Sequence, residues 1–130
     1  MVKKINVVVA DDERPARMFL LSLLKNFEQV NIVGEATNGV EALDLIEKHR
    51  PDLVLLDVQM PGLNGFEVVS KLKKTPKPLI VFVTAYDEYI GQTIELGAIE
   101  CLLKPVELSK LEETILRVGN YLGHTNGTSL

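Results

Sequence analysis

The 130-residue sequence predicts one α/β domain built on a doubly wound, five-stranded parallel sheet with strand order 2-1-3-4-5. Three observations lead there. Apolar runs alternate with stretches of helical periodicity along the whole chain, and most of those runs lack polar alternation, as strands covered on both faces do. Four runs, at residues 5–10, 53–56, 79–83 and 99–103, are followed by Asp11 and Asp12, Asp57, Thr84 and Lys104. Ligands of open parallel sheets bind outside the carboxyl ends of the strands, so those groups fall on one rim. With right-handed crossovers, the acids after the first and third strands meet only if those strands are neighbours, which selects this order.

Each element has its own signal. After the first strand, Ala16, Phe19, Leu20, Leu23, Leu24 and Phe27 follow helical spacing, with Pro15 near the start, where its missing N–H costs little. A weaker strand covers residues 31–36. Asn38 and Glu41 fit a reciprocal cap that opens the second helix, whose inward face is Ala42, Leu43 and Ile46 and which ends before Pro51. A third helix is expected from about residue 64 to residue 74. The fourth, over 88–96, has few apolar anchors beyond Ile90, Ile94 and Leu96 before Gly97 stops it, so it should be the least firmly docked. The fifth helix presents Leu108, Leu111, Ile115 and Val118 as one stripe.

The length suits a single core, expected over residues 1–122; the composition turns polar and glycine-bearing over 123–130, which reads as a flexible tail or the start of a linker. Net charge is −4, and Lys and Arg do not cluster, which argues against direct nucleic-acid contact by this segment. Cys101 is the only cysteine, so no intramolecular disulfide forms and a reducing compartment is the simplest reading. The apolar run behind Lys4 meets Asp11 too soon for a signal peptide or a membrane span, so the expected location is cytoplasmic. His49 and His124 have no partner at metal-binding spacing and read as solvated.

Asp11, Asp12 and Asp57 brought together repel by roughly 2–4 kcal/mol per pair at an effective dielectric near 20, so a cation is needed. Oxygen-only ligands select a hard ion, and Mg²⁺ suits a few carboxylates, waters and an incoming phosphoryl oxygen. Asp57, alone after an unbroken strand, is the expected nucleophile toward phosphorus; Asp11 and Asp12 form the adjacent pair expected of metal ligands. Lys104 offsets charge on the phosphoryl oxygens, and Thr84 donates a hydroxyl hydrogen bond once that group is present. Taken singly, each has an ordinary explanation. Asp11 or Asp12 caps a helix, Asp57 starts a turn, Thr84 is a strand residue and Lys104 a solvated strand end. Glu13 is expected to support the helix N-terminus by its charge.

Val9-Ala10-Asp11-Asp12-Glu13, Leu56-Asp57-Val58-Gln59-Met60-Pro61-Gly62-Leu63-Asn64-Gly65, Val83-Thr84-Ala85 and Leu103-Lys104-Pro105 together resemble the receiver domain of two-component response regulators, over residues 3–121. The resemblance implies a flavodoxin-like topology and a phosphorylation switch in which Asp57 accepts phosphate from a sensor histidine kinase. It implies Mg²⁺ held by Asp12, Asp57 and the backbone carbonyl of Gln59, with Asp11 acting through water. It further implies phosphoryl contacts from Thr84 and Lys104, a small residue at Ala85, and a cis bond before Pro105 that aims the lysine inward. Partner preference would change on the surface of the fourth helix, fifth strand and fifth helix, which would meet an output domain or effector. The domain would promote only its own phosphotransfer and dephosphorylation, without metabolite turnover. Residues 85–98 are similar to receivers joined to DNA-binding domains of the LytTR type.

Receivers commonly carry Tyr or Phe three residues before the lysine, where this chain has Cys101. A thiol cannot make the inward turn of a ring, so Tyr86, Tyr89 or movement of the fourth helix must carry the readout. Movement of the loop and helix ranks first. Gln59 and Tyr86 occupy positions that tune phosphate loss in relatives. Two other classes stay open: a phosphorylation-independent module of receiver fold, favoured by Cys101, and a Mg²⁺-dependent phosphatase using an aspartyl phosphate. The second is weakened because Gln59 stands where those enzymes place an acid. The fifth helix has too mixed a charge to decide whether the chain forms a homodimer.

Overall fold

The computed structural model describes residues 4–73 and 75–125, without the side chains of 124 and 125. Its strands are β1 (Ile5–Ala10), β2 (Val30–Ala36), β3 (Leu53–Asp57), β4 (Leu79–Thr84) and β5 (Glu100–Leu103). Its helices are α1 (Arg14–Leu24), α2 (Gly39–His49), α3 (Gly65–Ser70), α4 (Ile90–Glu95) and α5 (Leu108–Thr125), with a 3₁₀ turn at Asp87–Tyr89 before α4. All strand pairs are parallel, in the order β2-β1-β3-β4-β5. The expected doubly wound fold is therefore present.

The sheet separates two apolar layers. Val7, Val9, Leu53, Leu55, Val81 and Val83 face Leu20, Leu24, Leu111, Ile115 and Val118 of α1 and α5. Val8, Ala10, Val54, Leu56, Ile80 and Phe82 face Ala42, Ile46 and Val68 of α2 and α3. Alternation along each strand feeds both layers, which is why the sequence reads as unbroken apolar runs. The edge strand β2 is mostly half-buried, and its register shifts opposite Val7 and Val8.

Register sets the rim. Ala10 pairs with Leu56, Asp57 with Val83 and Thr84 with Leu103, so β1, β3, β4 and β5 finish at one level. Gly65 fixes how closely α3 approaches that level. A Cβ there would stand 2.4 Å from the Asp57 carbonyl oxygen and 3.1 Å from Phe82 Cε1. Gly39, at the head of α2, is as tightly placed against the Leu63 carbonyl, 1.9 Å from where its Cβ would lie.

Local departures from the sequence reading have physical causes. In α1, Phe19 is exposed and Arg17 takes the inward position with Leu20 and Leu24. At α2, Asn38 accepts from the Glu41 N–H at 2.8 Å, but the Glu41 carboxylate returns to the Thr37 N–H at 2.6 Å, so the cap is not reciprocal. The complete reciprocal cap is at α3, between Asn64 and Glu67. That helix stops at Ser70: the Lys71 N–H is shared between the Glu67 and Val68 carbonyls, and Leu72 turns into the core. The expected end at Lys74 lies outside the described residues.

The fourth helical segment covers nearly the expected span but is divided between the 3₁₀ turn and a six-residue α4, in which only Thr93 is buried and Ile94 is 65% exposed. On α5, Leu111, Ile115 and Val118 are buried while Leu108 is exposed. The helix continues past Gly123 to Thr125, and residues 126–130 are outside the described part. Among the described residues, no helix is long and apolar enough to cross a membrane.

Candidate phosphoacceptor site

At the carboxyl ends of β1 and β3, one oxygen each from Asp11, Asp12 and Asp57 lies within 4.8 Å of the others. Asp11 and Asp57 are buried and Asp12 is exposed. The Asp11 carboxylate accepts from the Glu13 N–H at 2.9 Å, and its main-chain carbonyl accepts from Arg17 Nη1 at 2.8 Å. Asp57 accepts a longer bond, 3.3 Å, from the Gln59 N–H. Both loops are thereby folded back on the acids they carry.

Lys104 supplies the opposing charge. Its ammonium stands 2.8 Å from Asp11 Oδ2, 3.1 Å from Asp57 Oδ2 and 3.4 Å from Glu13 Oε1. The Lys104-Pro105 bond is cis, as expected; Thr75-Pro76 is cis as well. Burial pushes the Asp57 carboxyl up to about 6, Asp11 adds to this, and Lys104 and the Gln59 N–H oppose it. For Lys104, burial works against the charge, but Asp11 and Asp57 outweigh it and raise its proton affinity. One ammonium does not neutralise the acid cluster. An all-oxygen set of this kind fits a hard divalent cation.

The acids and lysine open onto a cleft of about 650 Å³ lined in part by Asp12, Asp57, Gln59, Ala85, Tyr86 and Lys104. Thr84 is fully buried behind it, where its Oγ1 accepts from the Tyr86 N–H at 3.2 Å, leaving the hydroxyl proton free to donate. Tyr86 is exposed at the mouth. Tyr89 also lines the cleft, and its hydroxyl accepts from Gln59 Nε2 at 2.9 Å. Cys101 does not line this cleft. It is half-buried on β5, beside Thr93 of α4; burial and nearby Glu100 raise its thiol, and the Thr93 hydrogen bond partly offsets this.

Three contacts at the site go beyond what the sequence predicts. Glu13, expected only to support α1, also reaches Lys104, and Arg17 holds the Asp11 carbonyl from behind. The signal for Arg17 was available, since a basic residue spaced with Leu20 and Leu24 falls on the inward stripe. The Gln59–Tyr89 bond spans 30 residues and leaves no local signature. His49, at the end of α2, is exposed, and the side chain of His124 lies outside the described part.

The family model described as the response regulator receiver domain matches residues 7–116. The chain is 45% identical over 114 residues to the transcriptional regulatory protein BtsR of Salmonella typhi, covering 88% of this chain and 48% of that protein. It is 42% identical to BtsR of Escherichia coli over the same shares. The chain thus spans about half the length of the curated relatives it matches. Among solved structures, the REC domain of AraT, a response regulator from Geobacillus stearothermophilus, superposes with a TM-score of 0.83 at 30% identity, covering 97% of this chain and 99% of that one. The response regulatory domain of MrkE from Klebsiella pneumoniae gives 0.79 at 28%, covering 96% and 100%. By fold, rim and relatives alike, this chain belongs to the response regulator receiver domain family.

Proposed function

We propose that the domain is a Mg²⁺-dependent phosphorylation switch that accepts a phosphoryl group on Asp57 from a sensor histidine kinase. The observation that carries this reading is the placement of Asp57 between two further carboxylates and the ammonium of Lys104, 3.1 Å away, at one end of a parallel sheet. Asp11, Asp12, Asp57 and the Gln59 carbonyl would hold Mg²⁺. When bound, the ion supplies positive charge that offsets developing charge on phosphoryl oxygens.

An Asp57 carboxylate oxygen attacks phosphorus in line; the bond from phosphorus to the donor's nitrogen or acyl oxygen breaks, and the leaving group keeps the electron pair. Lys104 meets the equatorial oxygens. The Thr84 hydroxyl, whose proton is not engaged, donates to the new group and draws on the turn that begins at Tyr86. Ala85 and Pro105 leave room and direction for these contacts. Tyr86, exposed at the mouth, screens the attacking water, so its replacement by a small residue should speed phosphate loss.

The proposed readout surface is α4, β5 and α5, where Ile94, Leu96, Leu103, Leu108 and Leu116 are exposed, and the partner is an output domain or effector. Cys101 lies in that surface, so movement of the loop and α4 replaces a ring rotation. The proposed setting is the cytoplasm, with no membrane or nucleic-acid contact by the segment itself; residues 1–122 make up the receiver unit, α5 carries on from it through Gly123 to Thr125, and a tail or linker follows the helix.

Incubation with Mg²⁺ and acetyl phosphate should add one phosphoryl mass, and Asp57→Asn should abolish it. No added mass in the wild type, or retention in the variant, would overturn the assignment.

A further inference from the structure

We infer that the hydrogen bond from Gln59 Nε2 to the Tyr89 hydroxyl is a strap that holds α4 in place until a phosphoryl group arrives, so that Tyr89 is a positioning residue coupling the site to α4. The inference rests on the phosphorylation reading above and assigns its readout to a residue pair. It begins from how little else holds this segment. Among the described residues of the 3₁₀ turn and α4, only Thr93 is buried, and its hydroxyl donates within the helix to the Ile90 carbonyl at 2.7 Å. Six residues make a helix too short to stand without tertiary contacts.

Tyr89 supplies such contacts. Its ring meets Phe66 of α3 edge-on, with centroids 5.7 Å apart, and Phe66 meets Phe82 of β4 in the same way at 5.3 Å. Tyr86 also meets Tyr89 edge-on, with centroids 6.1 Å apart. This stack is continuous from the sheet, two residues before Thr84, to the turn that opens α4. Gln59 closes it on the polar side, 2.9 Å from the hydroxyl, while its own N–H is tied to Asp57 Oδ1. The strap therefore crosses the cleft from the β3–α3 loop to the β4–α4 loop.

A phosphoryl group on Asp57 competes with both ends of the strap. It removes the carboxylate charge that the Gln59 N–H now contacts and brings anionic oxygens into the cleft that Gln59 and Tyr89 line. A carboxamide N–H and a phenol O–H each form stronger bonds to such oxygens than to one another, because charge-assisted hydrogen bonds are about twice as strong as neutral ones. The strap opens, Tyr89 loses its polar anchor, and α4 is left with sparse apolar contacts and the hydrogen bond between Thr93 and Cys101.

Hydrogen exchange read by mass spectrometry tests this on the 130-residue chain. In unmodified protein, Tyr89→Phe should speed exchange across 87–96 about fivefold, the factor expected for one accessible hydrogen bond, and leave α1 unchanged. Gln59→Met should do the same, and the double variant should go no further than either, since both remove one shared bond. After Mg²⁺ and acetyl phosphate, with the added mass verified, wild-type 87–96 should exchange as fast as Tyr89→Phe, and Tyr89→Phe should show no further rise. Unchanged exchange in Tyr89→Phe, additive single variants, or slower exchange after phosphorylation would overturn the strap. Absence of added mass counts against the phosphoacceptor reading alone, because the comparison of unmodified variants still decides whether the strap exists.

Discussion

Lys104 holds its ammonium 3.1 Å from Asp57 Oδ2 with both side chains largely out of water, at 15% and 7% exposure. The same ammonium lies 2.8 Å from Asp11, so a single cation serves two buried carboxylates. Removing one member of a buried ion pair leaves an uncompensated charge, which is worse than having no pair at all. Lys104→Met should therefore destabilise the metal-free protein by about 2–4 kcal/mol. Added Mg²⁺ should restore more stability to the variant than to the wild type. Urea titrations with EDTA and with Mg²⁺ measure both effects, and equal gains from the metal would show that Lys104 does not neutralise the acids.

Asp57→Asn should act in the opposite direction. Burial and Asp11 put the folded-state value of this carboxyl near 6, above the ordinary 3.8. The folded protein therefore holds a proton that the unfolded chain has lost between about pH 4 and 6, and stability falls as pH rises through that window. Above it, the ionised carboxylate remains a burden in the absence of metal. Removing it should raise metal-free stability at pH 7 by roughly 1–3 kcal/mol, with the difference shrinking to nothing below pH 4. Parallel melts of wild type and variant from pH 3.5 to 7.5 provide the check. A variant less stable than wild type at pH 7 contradicts the electrostatic account.

Much of this was legible in the sequence because the rim follows from strand ends. Runs that finish on Asp11, Asp57, Thr84 and Lys104 need only parallel pairing in one register to converge, and the pairing of Asp57 with Val83 and Thr84 with Leu103 provides it. Helix faces were less legible, because reading apolar residues alone counts Phe19, which is exposed, and passes over Arg17, whose spacing with Leu20 and Leu24 turns it inward to the Asp11 carbonyl. Where Leu72 turns inward depends on core space and not on local propensity, so the early end of α3 had no signal. The bond between Gln59 and Tyr89 is tertiary and joins two loops whose approach no local pattern encodes.

Gly65 carries the close approach of α3 to the site. Alanine there would bring a Cβ 2.4 Å from the Asp57 carbonyl oxygen, and a backbone atom cannot swing aside as a side chain does. Gly65→Ala should lower stability by about 2–4 kcal/mol through the strain of overpacking. It should also slow phosphoryl incorporation, because relief of the clash shifts either α3 or the end of β3. A purely peripheral substitution such as Lys73→Ala should change neither. Normal incorporation kinetics in a destabilised Gly65→Ala would separate packing from the site.

Cys101 gives a measure of how tightly β5 and α4 are closed. Its proton affinity is raised above that of a free thiol, by burial and by Glu100 against the Thr93 hydrogen bond. Alkylation proceeds through the thiolate, so both the raised value and limited access slow it. At pH 8 iodoacetamide should modify the folded protein at least about threefold more slowly than the urea-unfolded chain. The folded-state rate should still be climbing at pH values where the unfolded thiol has levelled off, because the thiolate forms later on the pH scale. Because the chain has no other cysteine, intact mass follows this site without ambiguity. Loosening of α4 should speed the reaction at fixed pH without moving its upper inflection as far as full unfolding does. A rate equal to that of the unfolded chain would mean that the contact between Cys101 and Thr93 does not persist in solution.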